Sequence, residues 1–200
     1  MNAASGYRLG KRAISRDRTR RQILEAAEEL WLERWYDDVG LREVAEHAGV
    51  ALQTVVNHFG SKGGLLAAVA ENVGARMDRR RDEVVAGDVA GSVAMIIDEY
   101  EEIGDAIFRM IALEGRVEEL TPLLAHGRGV HRAWVERVFA EWLPEPGAER
   151  ERRTVTLVAA TDVLTWKILR REQELSREGA ELAMCEAVTA LVERAGVNAR

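Results

Sequence analysis

The sequence predicts an all-α fold of about nine helices. Three observations carry that expectation. Prolines number only 3 in 200 residues and aromatics make up 6%. Long stretches are built from Ala, Leu, Glu and Arg, whose side chains lose little freedom in a helix. Apolar residues recur at helical rather than alternating spacing throughout.

The chain reads as follows, element by element. Residues 1–14 carry no core-forming pattern and read as an arm. A first helix is expected from about Arg16 to Arg34, with Ile23, Leu24, Ala27, Leu30 and Trp31 on one face. Tyr36, Asp37 and Asp38 read as a loop. Two short helices follow, about Leu41–Ala48 and Leu52–Asn57, separated at Gly49. Ser61 is placed to N-cap a fourth helix running to about Arg81. Gly87 and Asp88 mark the next turn. A long helix, about Val89–Leu113, carries Val93, Ile96, Ile97, Tyr100, Ile103, Ile107, Met110 and Ile111 on one stripe. Thr121-Pro122 opens a short helix closed at Gly127, and another spans about Val130–Leu143. Pro144-Glu145-Pro146-Gly147 is the strongest loop signal in the chain. The last two helices are expected at about Glu149–Arg171 and Ser176–Ala195.

Charge is distributed unevenly. The net charge of −6 divides into +6 on residues 1–24, where seven Arg and Lys face one acid, and −12 on the remainder. A basic segment ahead of an acidic body suits a polyanion at one end of the chain. Hydrophobic residues form 47% of the chain, enough for a sizeable core. The single cysteine, Cys185, excludes an intramolecular disulfide and fits a reducing cytoplasm. No apolar run approaches about 20 residues, so no membrane span is expected.

The segment Leu41–His58 carries the main signal. Two short helices crossing steeply need a small residue where they meet, and Ala45 supplies it. The turn needs a residue that tolerates positive φ, and Gly49 does so. Val44, Ala48, Val50 and Val55 are expected to form a small core against the first helix. Such a helix-turn-helix places its second helix in the DNA major groove.

The run from Arg20 to Val69 resembles the TetR family of bacterial transcriptional regulators. The resemblance lies in Ile23, Leu24, Ala26 and Ala27 of the first helix and in Arg42, Glu43, Val44 and Ala45 of the second. It continues in the Ala48-Gly49-Val50 turn, in the block His58-Phe59-Gly60-Ser61-Lys62, and in Leu65 and Leu66. Three positions depart from the usual pattern. Ala51 replaces a Ser cap, Val56 replaces a Tyr that touches DNA phosphate in the family, and Gly40 replaces a Thr or Ser. The resemblance implies a flexible basic arm (1–15), a three-helix helix-turn-helix DNA-binding domain (16–62) and a helical effector-binding and dimerisation domain (63–200).

The candidate DNA-binding residues follow. Lys62 lies at the first turn of a helix where backbone N–H groups and an ammonium both favour phosphate, and the resemblance implies the same contact. Gly63 and Gly64 leave those N–H groups uncovered. Thr54 is a second phosphate candidate. Gln53 and Asn57 suit bidentate pairing with adenine. His58 is either a base-edge residue or a helix-end residue packing on the first helix. Arg42 reaches phosphate or a guanine edge. His47 reads as solvated.

In the second domain the expected helix containing Thr154–Leu169 is apolar on more than one face and needs a cover. A homodimer built from the last two helices of each subunit supplies it, with Val155, Ala159, Val163, Ala183, Ala187, Val188 and Leu191 as interface candidates. Tyr100, Phe108, Met110, Trp134 and Trp166 are candidates for the lining of a small-molecule effector pocket that the resemblance implies. Asp162 is a buried polar group, a partner of a neighbouring helix or a solvated residue. No cofactor or metal site is expected. The resulting expectation is a ligand-responsive regulator, a repressor by default, binding palindromic double-stranded operator DNA. A helical binding module that has lost operator contact is the alternative raised by Ala51 and Val56. An enzyme is the remaining one, and no phosphate loop, His-Glu-x-x-His pair or Gly-x-Ser-x-Gly elbow supports it.

Overall fold

The computed structural model describes residues 3–197, with side-chain surroundings for residues 14–194. The chain is all-helical. Its elements are α1 (Ala3–Glu33), α2 (Leu41–His47), α3 (Leu52–Phe59), α4 (Lys62–Glu83), α5 (Val89–Leu113), α6 (Leu120–Val138), a 3₁₀ turn (Ala140–Trp142), α7 (Ala148–Ala160), α8 (Val163–Lys167), a π-helical turn (Ile168–Glu172) and α9 (Arg177–Val197). Among the described residues there is no strand. Two compact units divide the chain, Met1–Val73 and Gly74–Arg200, with the boundary inside α4. The backbone of α1 starts at Ala3, well before Arg16. The side chains of residues 1–13, most of the expected basic arm, lie outside the description.

In the first unit α2 packs on both α1 and α3. The buried set is Ile23, Leu24, Ala27 and Trp31 from α1, with Val39, Val44, Ala45, Val55, Leu65 and Leu66. This is the small core expected from the sequence, except that Ala48 and Val50 are only half-buried.

The second unit is organised around α5, which packs against α6, α8 and α9. Val93, Ile96, Ile97 and Tyr100 of α5 join Trp134, Val135, Phe139, Leu157, Trp166, Met184 and Val188 in one core. Gly104 allows the closest of these approaches: a Cβ there would lie 2.5 Å from the Trp166 ring. On the outer side of α5, Asp98, Glu101 and Asp105 bind Arg177, Arg170 and Arg171. Arg170 grips Glu101 through two nitrogens at 2.6 and 2.9 Å, and the Trp166 indole donates to the same carboxylate at 2.8 Å. The Arg170 hydrogen bond, with that of Trp166, holds the Glu101 carboxyl below its ordinary range.

Two helices differ from the sequence expectation. The expected pair Thr121–Gly127 and Val130–Leu143 is one helix, α6, through Gly127 and Gly129. The helix frame leaves open space beside both glycines, so nothing forces a turn there. The expected single helix Glu149–Arg171 is broken at Thr161-Asp162. Asp162 is the N-cap of α8, its carboxylate accepting from Leu164 N–H at 2.8 Å. The break is fixed by buried polar groups. The Tyr100 hydroxyl donates to the Thr161 carbonyl at 3.0 Å. Thr161 Oγ1 donates to the Leu157 carbonyl at 2.8 Å and so accepts from His131 Nε2 at 3.1 Å. Nearby, Arg81 and Glu99 form a buried bidentate ion pair with N–O distances of 2.9 and 2.5 Å. The Arg81 guanidinium lies 5.8 Å from the Trp134 ring, which stacks on His131.

Burial, with the positive charge of Arg81, lowers the His131 pKa from 6.5 to about 4. The folded state therefore favours neutral His131. Its contribution to stability is complete above about pH 6.5 and is lost as pH falls toward about 4, because the unfolded chain then binds more protons. The interval amounts to on the order of 3 kcal/mol. We expect His131→Gln to flatten the stability–pH curve between pH 6.5 and 4, measured by denaturant unfolding at stepped pH. An unchanged slope would show that other groups set the acid sensitivity.

Candidate nucleic-acid interface

The turn between α2 and α3 is built by the backbone. Gly49 sits at φ +66, and its N–H bonds the Glu46 carbonyl at 3.1 Å while Val50 N–H bonds the Ala45 carbonyl at 2.9 Å. This paired pattern closes a helix with a left-handed residue and satisfies the last carbonyls of α2. A β-carbon in that conformation would be strained. Neither α2 nor α3 has a side-chain cap: Gly40 and Ala51 occupy the N-cap positions in extended conformation. Arg34 binds the Glu43 carboxylate and the Asp38 carbonyl, which ties the end of α1 to α2.

The far end of α3 is a second tight corner. Gly60 has φ +75 and ψ −59, and Ser61 N–H bonds the Phe59 carbonyl at 2.9 Å, a γ-turn. Only glycine takes this conformation readily. Ser61 then caps α4, accepting from Gly64 N–H at 3.0 Å. The expectation that Gly64 leaves its N–H uncovered is therefore corrected. Gly64 is required for another reason, since a Cβ would lie 2.1 Å from the Phe59 carbonyl oxygen.

The sequence candidates fall on this frame as follows. Gln53 and Asn57 are exposed on α3, one turn apart, and Gln53 Nε2 donates to Asn57 Oδ1 at 2.9 Å. Arg42 is exposed in the first turn of α2, and Thr54 is half-buried on α3. Lys62 is half-buried, its ammonium 4.2 Å from the Tyr36 ring centre and 3.5 Å from the Asp37 carbonyl. His58 stacks obliquely beside Phe59. Partial burial and the charges of Arg16 and Arg20 lower the His58 pKa. His47 is paired with Glu29 at 2.8 Å rather than merely solvated. Sequence reasoning missed Leu52, which is 37% exposed on α3, and Arg20, whose guanidinium lies 4.7 Å over the Phe59 ring. Leu52 was legible as an apolar residue off the buried stripe. Arg20 was hidden among six other basic residues.

The candidates of the second unit separate into two groups. Tyr100, Trp134 and Trp166 are buried in the α5-centred core, with Tyr100 and Trp166 ring centres 6.1 Å apart. Phe108 and Met110 are half-buried, and Lys167 lies 4.4 Å over the Phe108 ring. A cleft of about 250 Å³ in this unit is lined by other residues, among them Trp142, Arg152, Leu157 and Leu191. Of the interface candidates, Val155, Ala159 and Ala187 are exposed and Ala183 and Leu191 half-buried, whereas Val163 and Val188 face the unit's own core.

These features define a helix-turn-helix protein: a short helix, a glycine-closed turn and a second helix presenting polar side chains outward. Residues 23–69 match the family model for bacterial regulatory proteins of the tetR family. The match covers about a quarter of the chain, the helix-turn-helix segment. The chain is 38% identical over 84 residues to the HTH-type transcriptional activator FasR of Mycolicibacterium smegmatis, a match that spans 42% of this chain and 35% of that protein. Its fold is similar to that of a tetR-family transcriptional regulator from Streptomyces coelicolor, with a TM-score of 0.72 at 18% identity over 90% of this chain and 89% of the other. It is also similar to SmeT, solved as a complex with triclosan, with a TM-score of 0.63 at 19% identity over 86% and 90% of the two chains.

The missing caps give a direct test. Ala51→Ser supplies an acceptor for the first turn of α3 and should stabilise that helix by about 1 kcal/mol. Amide exchange in Thr54–Val56 should slow about fivefold where local opening governs exchange. Unchanged protection would mean that α3 opens only together with the rest of its unit.

Proposed function

We propose that this chain is a transcription regulator that binds palindromic double-stranded operator DNA as a dimer and responds to a small-molecule effector. The observation that carries the reading is the exposed row on α3, Gln53 and Asn57, set between the Gly49 turn and Lys62. Gln and Asn side chains suit adenine edges in the major groove. Thr54 and Lys62 serve phosphate, Arg42 serves phosphate or a guanine edge, and His58 serves a base edge. Binding over a promoter excludes polymerase, which makes the regulator a repressor. Activation is the second reading, favoured by the name of the FasR relative.

Dimerisation rests on apolar surface. Val155, Leu164, Ile168 and Leu182 are between 42 and 61% exposed on α7, α8, the π-helical turn and α9. Pairing these elements about a two-fold axis buries them and presents two recognition helices to two half-sites. The complex of SmeT with triclosan supports an effector for the second unit here. Tyr100, Trp134 and Trp166 are packed, so an effector at these residues must part the core.

Two measurements test the proposal. Fluorescence anisotropy with DNA from upstream of the chain's own gene, against scrambled DNA, should give selective binding with two protomers per site. Lys62→Ala should weaken binding to every sequence and lower the salt dependence by about one phosphate contact per protomer. Unselective or absent binding across upstream fragments counts against the reading. For assembly, light scattering at micromolar concentration should give the mass of two chains, and Leu182→Glu that of one. A monomeric wild type would sink the dimer.

A further inference from the structure

We propose that Arg20 is a further phosphate-binding residue of the DNA interface, and that Phe59 is the positioning residue that aims it, as Tyr36 aims Lys62. The inference rests on the operator-binding reading and adds a residue on α1 to it.

The geometry is a corner with a cation on each side. Phe59 ends α3 and Lys62 begins α4, with only the γ-turn at Gly60 and the Ser61 cap between them. The Arg20 guanidinium lies over the Phe59 ring at 4.7 Å. The Lys62 ammonium lies over the Tyr36 ring at 4.2 Å. A ring face attracts a cation through its quadrupole without neutralising it. A carboxylate would hold Arg20 as firmly but would cancel its charge. Among the described residues no carboxylate pairs with Arg20. The choice of an aromatic platform is what a phosphate site needs, because the cation arrives ordered and still charged.

Two further observations place Arg20 at the recognition helix. Arg20 is half-buried rather than extended into solvent, although its neighbours Arg16, Arg18 and Arg21 are exposed. Arg16 and Arg20 also act electrostatically on His58, the residue preceding Phe59 on α3. A basic helix surface with no function would not single out one arginine for a ring contact at the end of the helix that faces DNA. The ring platforms also fix the distance between the two cations through backbone that has little freedom. Gly60 and Gly64 hold the corner in a conformation that a β-carbon would disturb.

The test is a salt titration of binding on both operator and scrambled DNA, using the full chain. In a complex of two protomers, Arg20→Ala should lower the slope of log affinity against log salt by about two, one contact per protomer, and weaken both DNAs alike. Arg20→Gln, which keeps the stem and the helix propensity, should behave the same and guards against a folding defect. Arg20→Lys should restore most of the slope. Phe59→Leu should weaken binding in the wild-type background yet add nothing in the Arg20→Ala background, the non-additivity expected if Phe59 acts through Arg20. Salt-dependent binding by the wild type with an unchanged slope in Arg20→Ala overturns this inference and leaves the operator reading standing. Additive effects of the two substitutions overturn the positioning role of Phe59. No salt-dependent DNA binding by the wild type removes the operator reading and this one with it.

Discussion

The angle at which α3 leaves α2 is set at one residue, Gly49. Its left-handed conformation turns the chain, and the two hydrogen bonds that cross it, to Glu46 and Ala45, consume carbonyls that would otherwise need solvent. Everything that faces outward on α3 depends on that angle: Gln53 and Asn57 point away because Val44, Ala45 and Val55 point in. The N-terminal ends of both helices lack side-chain caps. The motif is therefore held by its turn and its small core rather than by its helix starts. At its other end the same strategy recurs, with Gly60 supplying a left-handed residue and Gly64 the close approach to the Phe59 carbonyl.

The second unit is held differently. Its core is apolar, but its irregularities are polar. The break between α7 and α8 exists where Tyr100, Thr161 and His131 exchange hydrogen bonds away from water, and the Arg81–Glu99 pair is buried nearby. Removing one partner from such a pair is far more destabilising than the pair is stabilising, since it leaves a charge without compensation. These groups define where α4, α5, α6 and α7 can sit relative to one another within the unit. Burial raises the Tyr100 pKa well above its ordinary range, so its hydroxyl remains a donor at every accessible pH.

Local chemistry was legible in the sequence and long-range chemistry was not. Gly49, Ser61 and the apolar stripe of α5 announce themselves because each acts within a few residues of its own position. The failures have the same physical origin. Gly127 and Gly129 are helix-weakening by propensity, yet the flanking residues Leu124, Trp134 and Val135 are buried, and packing overrides propensity. Asp162 is ambiguous in the sequence because it becomes an N-cap only where the helix breaks, beside a Thr161 carbonyl that accepts from Tyr100, sixty-one positions away. Val163 and Val188 carry the same pattern as surface-seeking Val155 and Ala159, and only the packed structure separates core from outer face. Of the DNA candidates, the residue types and their helix were readable. The ring beneath each cation was not, since Tyr36 reads as part of a loop and Phe59 as part of the His58–Lys62 block, with nothing local to pair either with a cation.

The contact between Gly104 and Trp166 has a consequence for how this chain can change over time. With a Cβ at position 104 only 2.5 Å from the indole, any side chain there collides with a rigid ring that is itself fully buried. Shrinking Trp166 first opens a hole, which is destabilising but tolerable. Enlarging Gly104 first is a collision. The two positions are therefore locked into an order of substitution, and lineages that share the tryptophan should share the glycine. A descendant with a larger residue at position 104 has to pass through the cavity-bearing intermediate.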